Sequence, residues 1–402
     1  MLDPHHAVKR AELESSPVKT PGFLKALTIG AAAALALTSC SAAGAAGNGT
    51  PDTSQAGRLS VVVTTTQLAD FTAQIGGDDI ELTSLLTPGA SAHHFDPTPR
   101  DLLSLGHADV LVINGAGLDE FVDAAIEASG FAGTVIDASA GIDLATAREI
   151  TAEGGEDQHA AEGHGHEGEE HAEEHGHAHD SHPSTGSGVG SEGSAGEAVH
   201  EAGDDHDHDH GDLNPHLWTS PRMAQGMVTE IAEGLAAKDR AHGDAYLERA
   251  SAYNEQLGAL DEWILAQYAR VPAEARVLVT GHDSLRYYLH DYDIAFAGSL
   301  LPSFEDNAEP SAAEIDALVA AIKQRGVKAI FVESSLSPKL AQTVAREAGV
   351  TVVDAESLYA DSLGPKGSGA ETYISATAHN TRVILEAWGA AVDPLPSQLE
   401  GQ

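Results

Sequence analysis

The sequence predicts an α/β protein in which two similar lobes, each a mainly parallel sheet flanked by helices, are joined by one long rigid helix. Runs rich in β-branched residues alternate with stretches of helical spacing in two separate parts of the chain. Such alternation is typical of parallel sheets covered by helices. Between the two parts lies a stretch of helical spacing without a strand pattern. A chain of 402 residues is also long enough for each lobe to bury its own core.

The predicted N-terminal lobe spans 58–220 and opens with a buried strand, because residues 59–66 have the β-branched sequence LSVVVTTT. The pattern after this strand alternates regularly between helix and strand. It predicts a helix over Leu68–Ile75, a strand over Ile80–Leu86, a helix over Pro99–Gly106, a strand over Asp109–Asn114, a helix over Asp119–Ser129 and a strand over Gly133–Asp137.

Residues 221–272 predict a helical segment. Ser220 followed by Pro221 is typical of a helix start, with a capping side chain and a proline in the first turn. A long series of apolar residues then keeps a spacing of three or four, which predicts one helix that ends near Pro272: Tyr246, Ala250, Tyr253, Leu257, Leu260, Ile264 and Tyr268. A helix of this length would form a stiff connection between the lobes.

The predicted C-terminal lobe spans 273–396 and repeats the alternation of the first. Its predicted elements are a strand over Val277–Thr280, a helix from Ser284, a strand over Ile294–Ala297, a helix over Ser311–Arg325, a strand over Ala329–Val332, a helix over Pro338–Ala348, a strand over Val350–Asp354 and a helix over Tyr373–Trp388.

The first forty residues have the pattern of an export signal. Lys19 and Lys25 precede an apolar stretch over 26–38 that is too short to span a bilayer but suits the core of a signal peptide. The stretch ends in Leu-Thr-Ser-Cys at 37–40, which resembles the lipobox of bacterial lipoproteins, so Cys40 is the expected lipid anchor. Residues 41–57 are rich in Ala, Gly, Ser and Thr and predict a flexible tether.

The net charge of −41 argues against a partner with a negative surface, such as nucleic acid, and favours cations. Residues 149–212 contain acidic residues and histidines but no lysine or arginine, and they predict a disordered insertion in the N-terminal lobe. Imidazole and carboxylate together suit zinc. We expect auxiliary metal binding at His164, His166, His175, His177, His179, His206, His208 and His210.

Four polar positions outside the insertion follow predicted strands or rejoin the fold, where open α/β sheets carry their functional groups. They are His93, His216, His282 and Asp354. Three imidazoles and one carboxylate form a closed tetrahedral set that zinc accepts.

The chain resembles the metal-specific solute-binding proteins of bacterial ABC importers for zinc and manganese. The resemblance rests on five segments in order: VVVTT at 61–65, HHFDPT at 93–98, NPHLW at 214–218, TGHDS at 280–284 and GVKAIFVE at 326–333. It implies two α/β lobes joined by a single helix, with metal held in the cleft between the lobes. It also implies that His93, His216, His282 and Asp354 are the metal ligands.

The resemblance leaves two details open. The family often has Asp-Pro before the first histidine, where this chain has Ser91-Ala92, so His94 remains an alternative to His93. Manganese-preferring members tend to have glutamate in place of the third histidine, whereas this chain has His282, which favours zinc and the zinc-specific branch. Glu333 ends a strand, and it is a candidate acceptor for the outer nitrogen of His282 or His216.

The sequence therefore predicts a monomeric, lipid-anchored protein on the outer face of the bacterial cell membrane. It would bind Zn²⁺ and deliver it to an ABC permease and its ATPase, without catalysing a reaction. Three alternatives remain at this stage: a zinc hydrolase or hydratase with a three-histidine site, a passive surface zinc buffer or adhesin, and a manganese-binding member of the same family.

Overall fold

Two sheets with the same strand order form the framework of the protein. The computed structural model describes residues 57–91, 93–162, 213–301, 303, 309–333, 338–353 and 358–401. The first sheet contains β1 (Leu59–Val63), β2 (Ile80–Ser84), β3 (Val110–Ile113) and β4 (Thr134–Asp137). All of its pairings are parallel, and the order is β2-β1-β3-β4.

The second sheet repeats this topology. Its strands are β5 (Val277–Thr280), β6 (Ala295–Ser299), β7 (Ala329–Ile330) and β8 (Thr351–Val352), paired in parallel as β5 with β6 and β7 with β8. A backbone hydrogen bond from Phe331 N to Val279 O (3.0 Å) places β7 beside β5. The resulting order, β6-β5-β7-β8, matches that of the first sheet.

Helices cover both sheets. They are α1 (Thr66–Gly76), α2 (Pro99–Gly106), α3 (Val122–Ser129), α4 (Leu144–Glu162), α5 (Pro221–Lys238), α6 (Gly243–Tyr268), α7 (Arg286–Asp291), α8 (Ala312–Arg325), α9 (Pro338–Ala348) and α10 (Tyr373–Ala387). The predicted fold class is confirmed, and the predicted helix boundaries at Pro99–Gly106 and Pro338–Ala348 agree with α2 and α9.

The long helix α6 contacts elements of both halves. Every residue of the predicted apolar series is buried along it. Near its beginning, Arg249 donates to the backbone oxygen of Gly76 at the end of α1 (3.0 Å). Near its end, Trp263 donates to the backbone oxygen of Pro394 (3.1 Å). Contacts of this kind suit a rigid strut between the lobes.

One helix was not predicted from the sequence. Helix α4 runs from Leu144 to Glu162, and it therefore continues into the segment for which we predicted an insertion from 149 onward. Ile150 is buried, and Thr151 accepts a hydrogen bond from Asn214 N (3.2 Å). The beginning of the predicted insertion is thus part of the packed fold.

Buried apolar clusters pack against both faces of the second sheet. One buried cluster runs from the first sheet through α5 and α6 to Leu278 and Phe331, and a second contains Val279, Ile330 and the inner faces of α8 and α9. Within the described residues, no helix is both long enough and apolar enough to cross a bilayer.

Candidate metal centre

Four side chains from separate loops converge at the carboxyl ends of the strands. His93 lies in the loop after β2, His216 before α5, His282 in the loop after β5 and Asp361 in the loop after β8. Their potential ligand atoms all lie within 4.8 Å of one another. His216, His282 and Asp361 are buried, and His93 is partly buried. The structure describes no other group of three or more His, Cys, Asp or Glu residues with this geometry.

The distances suit a single tetrahedral ion. The Nε2 atom of His216 lies 3.0 Å from His93 Nε2 and 3.4 Å from His282 Nε2. The Oδ1 atom of Asp361 lies 3.4 Å from His216 Nε2 and 3.2 Å from His282 Nε2. A tetrahedron with zinc–ligand bonds of about 2.0–2.1 Å has its corners roughly 3.3 Å apart. Four of the six separations between the donors are therefore close to those that zinc would impose, and all six are below 4.8 Å.

Asn214 fixes the protonation pattern of His216. Its side-chain oxygen lies 2.7 Å from His216 Nδ1, and its amide nitrogen donates to the backbone oxygen of Asp283 (2.6 Å). Because an amide oxygen only accepts, Nδ1 carries the proton and Nε2 presents its lone pair to the cluster. Burial lowers the pKa of His216 to about 3, so the ring is neutral at ordinary pH, as a metal ligand must be.

Glu333 lies on the outer side of the His282 ring. The Nδ1 atom of His282 lies 3.5 Å from Glu333 Oε1. Glu333 also accepts hydrogen bonds from Gly281 N and Ser284 Oγ, each at 2.9 Å. Of the two histidines that the sequence offered as its partner, Glu333 thus lies beside His282, where it can orient the ring.

The electrostatics of His282 and Asp361 are coupled. Burial lowers the pKa of His282, but the nearby carboxylates of Asp361 and Glu333 outweigh burial and raise it well above its usual value. Burial likewise raises the pKa of Asp361, but His282 and His216 outweigh it and hold that pKa well below the usual range. Without metal, the two carboxylates therefore favour the protonated form of His282.

The acidic member of the cluster is Asp361. The sequence predicts Asp354 as the acidic ligand, and that residue lies outside the described residues. Asp361 lies seven residues further along, beyond a parallel bridge between Glu333 and Leu358 that extends the strand pairing. One sequence signal was available: Asp361 lies between the apolar positions Leu358 and Leu363, far from the next helix cap at Thr372.

His93 occupies the position that the resemblance implied for the first ligand. Its ring centre lies 4.9 Å from that of His216 and 5.7 Å from that of His282. His94 is exposed and lines an adjoining pocket with Phe95, Asp96 and Glu120. The structure therefore brings His93, and not His94, into the cluster.

Several predicted site residues lie outside the described residues. They are the anchor Cys40, the whole leader and tether up to Ala56, and the auxiliary histidines His164, His166, His175, His177, His179, His206, His208 and His210.

Comparison with known proteins identifies the family. Residues 61–387 match the family model described as the zinc-uptake complex component A, periplasmic. The chain belongs to this family. Its members are metal-binding components of ABC importers, so the prediction that the protein is not an enzyme is confirmed. The hydrolase and passive-buffer alternatives do not fit membership of this family.

Relatives of this chain carry different metals in their names. The manganese-binding lipoprotein MntA of Bacillus subtilis is 27% identical over 333 residues, which cover 82% of this chain and 90% of MntA. The zinc-binding protein TroA of Treponema pallidum is 26% identical, covering 84% of this chain and 92% of TroA. The solved structure of the Treponema pallidum protein superposes with a TM-score of 0.62 at 23% identity, covering 83% of this chain and 99% of the other. This superposition supports the fold assignment.

Proposed function

We propose that this protein is an extracytoplasmic zinc-binding lipoprotein that delivers Zn²⁺ to an ABC permease and its ATPase. The ion is cargo, held by His93, His216, His282 and Asp361. The observation that carries the proposal is the convergence of three imidazoles and one carboxylate within 4.8 Å at a buried site. The mechanism is coordination of the ion, without a catalysed reaction.

The donor set favours zinc over manganese. Three of the four donors are imidazole nitrogens, which suit zinc, whereas manganese prefers carboxylate and other oxygen ligands. Four closely spaced donors also match tetrahedral zinc better than the octahedral shell that manganese takes. The names of the relatives include manganese-, zinc- and iron-binding proteins, so the metal has to be decided by the donors of this chain.

Zinc occupancy would couple the two lobes. His93 and His216 belong to the N-terminal lobe, while His282 follows a strand of the second sheet. An ion bound across them stabilises the arrangement in which all its ligands meet, and a ligand shifts only those states that it binds unequally. The permease would distinguish loaded from empty protein by that difference. We also propose that Cys40 is lipidated and that the protein is a monomer. The histidine-rich segment 163–212 would capture metal.

The deciding experiment is a competition titration with a chelator, using Zn²⁺ and Mn²⁺ separately on the mature chain. We expect one tight zinc site, much weaker manganese binding, and loss of the tight site in His216→Ala. His282→Glu replaces a nitrogen donor with a carboxylate, and it should narrow the preference for zinc. Tighter binding of manganese than zinc by the unaltered chain would contradict the zinc assignment. Full zinc affinity in His216→Ala would contradict the site.

A further inference from the structure

The loop that carries Asp361 belongs in sequence to the C-terminal half, yet hydrogen bonds attach it to the N-terminal half. We call residues 358–364 the Asp361 loop. The backbone oxygen of Ala360, the residue before Asp361, accepts hydrogen bonds from Gln67 Nε2 (3.0 Å) and Trp218 Nε1 (2.8 Å). Both donors are buried. The position of the peptide next to the carboxylate is therefore set from the opposite lobe.

A second attachment lies on the other side of Asp361. Leu363 N donates to Thr66 Oγ1 (2.9 Å), and the same hydroxyl donates to Gln67 Oε1 (3.1 Å). The amide of Gln67 is thereby oriented with its nitrogen toward Ala360. Gly89 N also donates to Ser362 Oγ (2.7 Å). The first two residues of α1 and the loop thus form a closed set of hydrogen bonds.

The C-terminal half holds the same loop one residue earlier. Asn380 on α10 accepts from Tyr359 N and donates to Tyr359 O, each at 2.9 Å. The described bonds therefore pass from the C-terminal to the N-terminal half between Tyr359 and Ala360, and they return to the C-terminal half at Gly364, whose N donates to Ala370 O (2.8 Å). Asp361 lies on the part of the loop that is attached to Thr66, Gln67 and Trp218. If the lobes separate, these bonds and the fourth metal ligand are affected together.

We propose that Thr66, Gln67 and Trp218 are positioning residues for the metal site: they hold the Asp361 carboxylate in place, and metal release requires their hydrogen bonds to the Asp361 loop to break. The inference rests on the proposed function, because it concerns the retention of the same ion. Its physical basis is that a fixed backbone pre-organises a ligand for the ion and so slows its departure. Two of the three residues that fix the loop, Thr66 and Gln67, are the first two residues of α1.

The test measures how fast zinc passes from the full chain to excess chelator, for the unaltered protein and for the variants Gln67→Leu and Trp218→Phe. Each removes one donor to Ala360 O and leaves a buried oxygen short of a partner, so we expect release to be roughly tenfold faster. Thr66→Val should also release zinc faster, whereas Thr66→Ser keeps the hydroxyl and should behave like the unaltered protein. If Trp218→Phe does not fold, the comparison of Thr66→Val with Thr66→Ser decides whether the positioning role is correct.

Co²⁺ bound in place of zinc reports on the geometry itself. Its visible absorption is intense in a four-coordinate site and weak at higher coordination number. We expect the absorption bands of Co²⁺ to change in position and intensity in Gln67→Leu and Thr66→Val, because water replaces the Asp361 carboxylate when that ligand loses its fixed position. A general loss of stability would not produce this change.

Matched controls exist elsewhere in the chain. Gln225 Nε2 donates to Asn254 O (2.8 Å), and Trp263 Nε1 donates to Pro394 O (3.1 Å). Gln225→Leu and Trp263→Phe remove equivalent bonds away from the site, and both should leave zinc release and the Co²⁺ spectrum unchanged. If Gln67→Leu, Trp218→Phe and Thr66→Val matched these controls while His216→Ala lost binding, the positioning role would be wrong and the proposed function would stand. Intact binding in His216→Ala would reject the proposed function itself.

Discussion

Asn214 determines the chemistry of its neighbour His216, since its oxygen keeps the Nδ1 proton in place. We expect Asn214→Leu to weaken zinc binding by about 10- to 100-fold, the usual cost of losing the outer partner of a ligating histidine. Asn214→Asp keeps an acceptor and should retain more affinity. Competition titration measures both, with Asn254→Leu as the control, because Asn254 bonds only between α5 and α6. Equal affinity in the Leu and Asp variants would contradict this role.

The raised pKa of His282 makes zinc binding depend on pH. At neutral pH the metal-free site holds a proton on His282, and zinc must displace it. Affinity should therefore rise with pH, by about tenfold per unit below that raised pKa, and fall as the medium becomes acidic. Titration calorimetry in buffers of different ionisation enthalpy measures the released proton. Glu333→Gln removes one of the two carboxylates near His282 and should reduce the number of protons released. Zinc affinity that did not depend on pH would contradict the coupling between zinc binding and protonation of His282.

At the scale of elements, helix α4 sets where the histidine-rich segment can be removed. Thr151 on α4 bonds to Asn214 N (3.2 Å) and to the hydroxyl of Tyr287 (3.2 Å). Deletion of 163–212 leaves these contacts intact and should preserve tight zinc binding in the cleft. Deletion of 149–212 removes them and should weaken binding as well as stability. Chelator competition measures the zinc affinity of the two deletion variants, and urea unfolding measures their stability. Equal affinity and equal stability would show that α4 does not support the site.

Helix α5 approaches the turn before α4 so closely that a side chain would not fit. A Cβ atom on Gly226 would lie 2.4 Å from Gly141 O. Gly226→Ala should therefore reduce the free energy of unfolding by about 1–3 kcal/mol. Gly258 on α6 provides the control, because its Cβ would meet only Gln225 Nε2 at 3.5 Å. Gly258→Ala should be neutral or stabilising by up to about 1 kcal/mol, since glycine costs that much inside a helix. Urea unfolding of both variants tests the comparison.

At the scale of the whole molecule, an ion bound between the lobes should stabilise the folded chain. Binding to the folded state alone adds about 2.7 kcal/mol when free zinc exceeds the dissociation constant 100-fold. We expect zinc to raise the melting temperature of the unaltered chain and of the 163–212 deletion by similar amounts. His216→Ala should lose most of this increase. An increase that depended on residues 163–212 and not on His216 would place the stabilising ion outside the cleft.

The sequence by itself determined the two alternating α/β halves, the long helix between them and three of the four residues in the cluster. Period-two and period-3.6 patterns are local, so they identify strands and helices directly. His93, His216 and His282 stood out because each lies in a loop next to a recognisable segment. The solved structures of similar proteins confirmed the fold class, and family membership confirmed that the protein is not an enzyme.

Only the tertiary structure decided which carboxylate meets the imidazoles and what holds it there. The apolar residues near Asp361, Leu358 and Leu363, do not by themselves identify it as a ligand, because its role depends on groups distant in sequence: Gln67, Trp218 and His282. Helix α4 could not be predicted either, because its sequence is weakly amphipathic and continues into the acidic segment. Its position depends on contacts with the distant residues Asn214 and Tyr287. Local pattern specifies an element, but the position of a ligand depends on hydrogen bonds that form only when the halves have come together.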